Sequence, residues 1–116
     1  MYDQDMFRGI KSAGKWADIL AGVRKEAGLD VQHLIEQRFA ERLGLKPGEI
    51  PAVVLDRTYH QQEVKARLFS RDFLPTGRAY EPQDIWNAYR RLYGDLGHPE
   101  WLEAIWPYFQ RLGVHR

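Results

Sequence analysis

Apolar residues recur at helical spacing in several segments of the chain, and glycine- and proline-containing breaks separate these segments. A first helix is predicted over 12–26, and Gly28 just beyond it is typical of a left-handed cap. A second helix is predicted to begin at His33 or Leu34, with Gly44 as its cap. The apolar positions on its predicted inner face are Leu34, Ile35, Phe39 and Leu43.

Proline at a first helical position predicts two more helices, which open at Pro82 and Pro99. Gly94 and Gly97 are expected to break the first of them, and Pro107 is expected to kink or interrupt the second. Aromatic side chains follow i, i+3 and i+4 spacing in both helices, which favours a core role over a surface role. These aromatic residues are Trp86, Tyr89, Tyr93, Trp101, Trp106 and Phe109.

The segment 50–55 is the clearest predicted strand, because it is rich in β-branched residues and Pro51 suits the start or edge of a strand. Asp56 follows as the predicted N-cap of a helix that carries His60 and continues to Phe69. A short strand over 29–32 is expected to pair with 53–55. The predicted fold class is therefore α+β, mostly α-helical, with a small ββα core and additional helices.

Composition sets broad limits on this fold. A length of 116 residues predicts one domain over 1–116, divided into an N-terminal helical extension (1–28), a core (29–70) and a helical tail (81–113). Without cysteine, neither disulfides nor thiolate metal sites are available. No apolar run approaches the roughly 20 residues of a membrane span, and the acidic N-terminus does not resemble a signal peptide. We therefore expect no membrane association.

Charge is nearly balanced overall, at +1, but cations concentrate after the predicted strand. The cations Arg57, Lys65, Arg67 and Arg71 lie in this segment and are candidates for binding nucleic-acid phosphates. The alternative is a solvated helix face that carries extra arginines.

His33 and His60 flank the predicted strand 27 residues apart. Either histidine alone is more often a capping or packing residue. Together, with one at the end of an extended segment and the other early in a helix, they predict a shared site for a general base and a metal ion. His98 is interpreted as a cap or turn residue, and no role is expected for His115.

The sequences at 31–39 (Val-Gln-His-Leu-Ile-Glu-Gln-Arg-Phe), 50–55 (Ile-Pro-Ala-Val-Val-Leu) and 60–61 (His-Gln) carry a family resemblance. They resemble the HNH and endonuclease VII-like nuclease domains, with a ββα-metal core, of bacterial polymorphic toxins, including Rhs-type effectors. The later segments 85–89 and 101–103 are also similar to the helical tail of such domains. The resemblance covers about 29–109.

The resemblance implies roles for individual residues. His33 matches the general base that activates water, and His60 matches a ligand of a divalent metal. Magnesium is the favoured metal, with zinc and nickel as alternatives. The implied activity is hydrolysis of nucleic-acid phosphodiesters, with DNA favoured over RNA. Such a toxin would act as a secreted effector domain in the cytoplasm of a target cell, and its protein partner would be a cognate immunity protein.

The chain departs from the family pattern at Gln32, where the family has a metal-binding histidine. A glutamine carbonyl is a weaker ligand than imidazole and suits magnesium or calcium better than zinc or nickel. Glu63, three residues after His60, could supply another ligand if both lie on one helix face. A variant site, a weak metal site and an inactive one are all compatible with these residues.

Two other classes of function remain open at this stage. A non-catalytic helical module, such as an immunity, adaptor or inhibitor protein, could present the aromatic tail as a recognition surface. A different enzyme could use His33 and Glu36, at i and i+3, for acid–base chemistry. The sequence has no nucleophile motif, glycine-rich phosphate loop or paired carboxylates to favour that enzyme.

Overall fold

The computed structural model describes residues 9–23, 28–65 and 73–116, and of His60, Gln61 and Lys65 it describes the backbone alone. The chain divides into two compact units, Met1–His60 and Gln61–Arg116, called here the first and second units. The first unit holds a three-stranded antiparallel sheet and the second holds two long helices. The predicted coarse class, α+β with a small sheet, is confirmed. The division of 1–116 into extension, core and tail stays a prediction.

The sheet comprises β1 (Lys11–Ser12), β2 (Leu29–His33) and β3 (Pro51–Asp56), in the order β1-β3-β2. The predicted pairing of the two longer strands is confirmed, with Val31 opposite Val54. Pro51 is the first residue of β3, as its lack of an N–H group requires in a central strand. Strand β1 was not predicted, because two residues are too few to show a period.

Helix α1 spans Ala13–Leu20 and is shorter than predicted. Ser12 caps the helix rather than belonging to it, and its Oγ accepts a hydrogen bond from the Lys15 N–H at 3.2 Å. Trp16 is fully buried, and its Nε1–H donates to the carbonyl oxygen of Ala52 at 2.8 Å. The indole thereby links α1 to the central strand. Residues 24–27, the end of the predicted helix, lie outside the described residues.

The predicted helix beginning at His33 or Leu34 is wrong. The Leu34 N–H donates to the carbonyl oxygen of Pro51 at 2.8 Å, so the chain continues the pairing of β2 with β3 instead of turning. Two short 3-10 turns follow, Gln37–Phe39 and Pro47–Glu49. The apolar residues of the predicted helix, Leu34, Ile35, Phe39 and Leu43, are nonetheless buried. Their spacing predicted correctly that these side chains are buried. The same spacing is compatible with a helix and with successive tight turns, so it did not distinguish the two.

A helix follows β3 directly, as predicted. It begins as α2 (Arg57–Tyr59) and continues in π-helical winding over His60–Lys65. Asp56 is its N-cap, since Oδ1 accepts hydrogen bonds from the backbone N–H groups of Thr58 at 2.9 Å and Tyr59 at 3.3 Å. The π winding was not expected from the sequence. The predicted continuation to Phe69 lies outside the described residues.

The second unit contains α3 (Pro82–Leu96) and α4 (Pro99–Gln110), both opened by proline as predicted. Gly97 caps α3 with a positive φ of 78°, whereas the prediction that Gly94 breaks this helix is wrong. Pro107 lies inside α4 and does not interrupt it, in contrast to the prediction. None of the helices in the described ranges is long and apolar enough to cross a membrane.

The aromatic residues of α3 and α4 form a packed core. Tyr93 and Trp101 meet edge to face with ring centroids 5.1 Å apart, and Trp86 lies 4.8 Å from Trp106 and 5.4 Å from Phe109. Such ring pairs stabilise a core beyond the area they bury. The buried members are Trp86, Tyr89, Tyr93, Trp101 and Phe109. The core role that their spacing predicted is confirmed.

Candidate functional site

His33 is the last residue of β2, and its side chain is half-buried. Burial lowers the pKa of the imidazole from its ordinary value of 6.5, because desolvation penalises the charged form. The ring is therefore neutral near pH 7, the state that a general base requires. The side-chain amide nitrogen of Gln37 lies 3.3 Å from His33 Nε2.

Gln32 precedes His33 on the same strand. Adjacent side chains of a strand point to opposite faces, and Gln32 is buried, with 5% of its surface exposed, whereas His33 is only half-buried. The Gln32 Nε2–H donates to the carbonyl oxygen of His33 at 2.8 Å. The Gln32 amide nitrogen is thus bonded to the backbone in a buried position, whereas a metal would be bound by the carbonyl Oε1. The role of Gln32 as a metal ligand stays a prediction.

The other predicted ligands lie in the π-helical segment. The side chain of His60 is outside the described residues, and Glu63 is exposed. The argument that Glu63 shares a face with His60 assumed α-helical winding, whereas π winding makes i→i+5 bonds and displaces residues three apart around the axis. Within the described residues, no group of three or more histidine, aspartate or glutamate side chains could hold a metal ion.

Of the four predicted phosphate-binding cations, Arg57 is the one whose side chain is described. Its Nε–H donates to Asp30 Oδ1 at 3.2 Å, across the β2–β3 pair. The Arg57 side chain is 44% exposed, and a phosphate would compete with the Asp30 carboxylate for it. The side chain of Lys65 and the whole of Arg67 and Arg71 lie outside the described residues.

The second unit has a cleft of about 390 Å³ beside α3. Its charged side chains are Arg78, Asp84, Arg91 and Asp95, two of each sign. Leu92, which is buried, contributes to its apolar lining. Sequence reasoning missed this cleft, because its walls come from an irregular loop and from helical positions that carried no motif. Its balanced charge does not favour a polyanion such as nucleic acid.

The remaining two histidines have local partners in the second unit. His98 precedes α4, as predicted, and its ring stacks on Trp101 with centroids 3.8 Å apart. His98 Nδ1 also lies 2.9 Å from Glu100 Oε1. The backbone N–H of His115 donates to Gln83 Oε1, and its carbonyl oxygen accepts from Gln83 Nε2, both at 2.8 Å.

Comparison of the chain with protein-family models, with curated proteins and with solved structures finds no match. Arguments about its function therefore depend on the residues and geometry described above.

Proposed function

We propose that the first unit hydrolyses nucleic-acid phosphodiesters, with His33 as the general base. The observation that carries the proposal is a half-buried imidazole, with a pKa lowered by burial, at the end of β2. Strand β2 pairs with β3, and a helix capped by Asp56 follows directly. This order of elements is also the one implied by the sequence resemblance to HNH and endonuclease VII-like nuclease toxins.

In the proposed reaction, His33 takes a proton from a water molecule as the water oxygen attacks phosphorus. The new phosphorus–oxygen bond forms while the bond to the leaving oxygen breaks. The products are a phosphate monoester and an alkoxide, which takes a proton from solvent to become a free hydroxyl. The neutral imidazole supplies the lone pair that accepts the proton, and it becomes imidazolium. Arg57 is positioned by Asp30 and could hold a neighbouring phosphate through charge-assisted hydrogen bonds.

A divalent metal, magnesium before zinc or nickel, is part of the proposal only through the family resemblance. When bound, such an ion stabilises the negative charge that develops on the phosphoryl oxygens. The candidates for its ligands from the sequence are His60, Glu63 and position 32. Because Gln32 offers a neutral carbonyl oxygen where the family has an imidazole, we derive no step through the metal and expect the parent chain to be a poor nuclease.

A second candidate is a non-catalytic binding module, such as an immunity, adaptor or inhibitor protein. The observation that favours it is the hydrogen bond that the Gln32 amide nitrogen donates to the His33 carbonyl oxygen, which suits a structural role better than a catalytic one. The aromatic tail no longer supports this candidate, because five of its six aromatic side chains are buried in the second unit. The nuclease and the binding module therefore predict different effects on cleavage when Gln32 is replaced.

The test is cleavage of plasmid DNA, and of a matched RNA, by the parent and by Gln32→His with magnesium. We expect Gln32→His to cleave DNA about 10–100-fold faster, the size of effect that ligand-environment changes have at metal sites. Gln110→His adds a histidine at an exposed position of the second unit and is the matched control, expected to equal the parent. Circular dichroism confirms that each variant is folded.

A second arm of this experiment separates base from ligand. In the Gln32→His background, His60→Ala should abolish both cleavage and calorimetric magnesium binding, because a metal ligand is lost. His33→Ala should abolish cleavage and leave magnesium binding close to unchanged. If folded Gln32→His and the parent are equally inactive with magnesium, zinc and nickel, the nuclease proposal is wrong and the binding module becomes the better account.

A further inference from the structure

The contact between the Gln37 amide nitrogen and the His33 ring points to a protonation pattern of the imidazole. The Nε2 atoms of the two side chains are 3.3 Å apart. An amide nitrogen carries two hydrogens and has no acceptor capacity, so Gln37 must be the donor. His33 Nε2 must then present its lone pair, and the single proton of the neutral ring resides on Nδ1.

The backbone around Gln37 is well fixed, so this contact follows from the fold. Leu34 and Ile35, between the two residues, are fully buried. The Leu34 N–H is bonded to the Pro51 carbonyl oxygen at 2.8 Å. Gln37 then opens a 3-10 turn in which its carbonyl oxygen accepts from the Ala40 N–H at 3.0 Å. These bonds place the Gln37 backbone close to the end of β2.

The chemical consequence concerns which nitrogen of the ring can act as a base. A neutral imidazole accepts a proton only at the nitrogen that lacks one. In the Nδ1–H tautomer that nitrogen is Nε2, the atom next to Gln37. Gln37 is exposed, so a water molecule can replace its amide at Nε2 without disturbing the core.

We propose that Gln37 is a positioning residue that holds His33 in the Nδ1–H tautomer, so that Nε2 is the atom that takes the proton from water. The catalytic part of this inference rests on the proposed function, whereas the tautomer itself does not. Gln37 acts through His33 and contributes no bond to the reacting phosphate. The proton that leaves water binds Nε2, and the resulting imidazolium has both nitrogens protonated.

The tautomer is measured by long-range proton–nitrogen NMR of protein labelled with ¹⁵N-histidine, at about pH 8.5, two units above the unperturbed histidine pKa. The His33 signals are assigned by their loss in His33→Asn. We expect a pyrrole-like Nδ1 and a pyridine-like Nε2 in the parent. Gln37→Ala should shift the tautomer ratio toward Nε2–H by about fivefold, the factor that one neutral hydrogen bond represents.

Gln37→Glu sharpens the same test, because a carboxylate only accepts hydrogen bonds and should reverse the preference to Nε2–H. Gln110→Ala removes an exposed glutamine from the second unit and should leave the His33 signals unchanged. An Nε2–H tautomer in the parent, or an unchanged ratio in Gln37→Ala, would overturn the inference.

The catalytic part is read from cleavage in the Gln32→His background. Gln37→Glu should lower kcat about 10-fold or more and leave KM within about twofold, because the proton acceptor is lost while phosphate contacts remain. Unchanged kcat despite a reversed tautomer would overturn the positioning role. If every variant is inactive but the tautomer shifts as expected, the proposed nuclease function fails and the tautomer assignment stands.

Discussion

The two units of the chain bury different kinds of side chain. The second unit has an aromatic core in which Trp86 and Tyr93 are fully enclosed. The first unit has a largely aliphatic core around one tryptophan, and a buried glutamine lies in its sheet. Polar groups of the second unit include the helix cap that Glu81 and Asp84 form at the start of α3. Polar groups of the first unit include a half-buried imidazole at a strand end.

This difference indicates which unit contributes mainly to stability and which one holds the candidates for chemistry. In α3 and α4 the large side chains recur at helical spacing, and the core that they fill accounts for their identity. Gln32 and His33 have no such explanation, because burial of a polar amide and of an imidazole both cost free energy unless partners compensate. Their partners are the His33 carbonyl oxygen and the Gln37 amide. The first unit is therefore where functional variants should act.

The largest expected effect on stability is in the aromatic core. Trp86→Ala should lower the free energy of unfolding by about 3–5 kcal/mol, because it leaves a large cavity between aromatic neighbours. Urea denaturation followed by circular dichroism measures this loss. A loss below about 1 kcal/mol would mean that Trp86 does not belong to a packed core, and the contrast between the units would be lost.

A matched pair of tryptophan substitutions compares the free-energy cost of losing a buried indole N–H group in each unit. Trp16→Phe removes a hydrogen bond to the Ala52 carbonyl oxygen and should cost about 1–3 kcal/mol. Trp86 Nε1 is buried and has no hydrogen-bond partner among the described residues, so Trp86→Phe should cost less. Unfolding midpoints in urea compare the two variants. An equal or larger loss for Trp86→Phe would contradict the assigned hydrogen bonding.

The cap that joins β3 to its helix should have a smaller effect. Asp56→Ala removes the acceptor of two backbone N–H groups and should lower the free energy of unfolding by about 1 kcal/mol. Asp95→Ala, an exposed aspartate of α3, is the matched control, expected within about 0.5 kcal/mol of the parent. Indistinguishable melting curves for Asp56→Ala and the control would remove Asp56 as the cap.

The pH dependence of stability should distinguish His33 from exposed histidines. Burial places the folded-state pKa of His33 below the unfolded value of 6.5. Above 6.5 the group is neutral in both states and does not affect stability. As pH falls from 6.5 through the folded pKa, the unfolded chain binds the proton first, so stability decreases. His33→Asn should flatten this part of the profile, whereas His115→Asn, at an exposed position, should not.

Much of the fold was predictable from local patterns. Pro82, Pro99 and Gly97 mark helix boundaries by their backbone chemistry alone, and the residues near 53–55 read as a strand by composition. The prediction of a helix near Leu34 was wrong because the same burial pattern fits two successive turns as well as a helix. The deciding bond, from the Leu34 N–H to the Pro51 carbonyl oxygen, joins segments 17 positions apart, which a local pattern does not contain.

The candidate site was predictable only in part. The positions of His33 and Asp56 at element ends followed from the sequence. The hydrogen bonds of Gln32 and Gln37 did not, because the direction of a glutamine side chain depends on the turn that the backbone makes after β2. The π winding after Tyr59 also has no local signal, so the relation of Glu63 to His60 was inferred from the wrong helix geometry.

The most direct test of the central claim compares one histidine from each unit in the Gln32→His background. His33→Ala removes the proposed base, whereas His98→Ala removes a ring that stacks on Trp101. Magnesium-dependent plasmid cleavage should fall at least 100-fold in His33→Ala, as expected for loss of a general base, and stay within about twofold of the background in His98→Ala. Equal cleavage by folded His33→Ala and the background would contradict the assignment of the chemistry to the first unit.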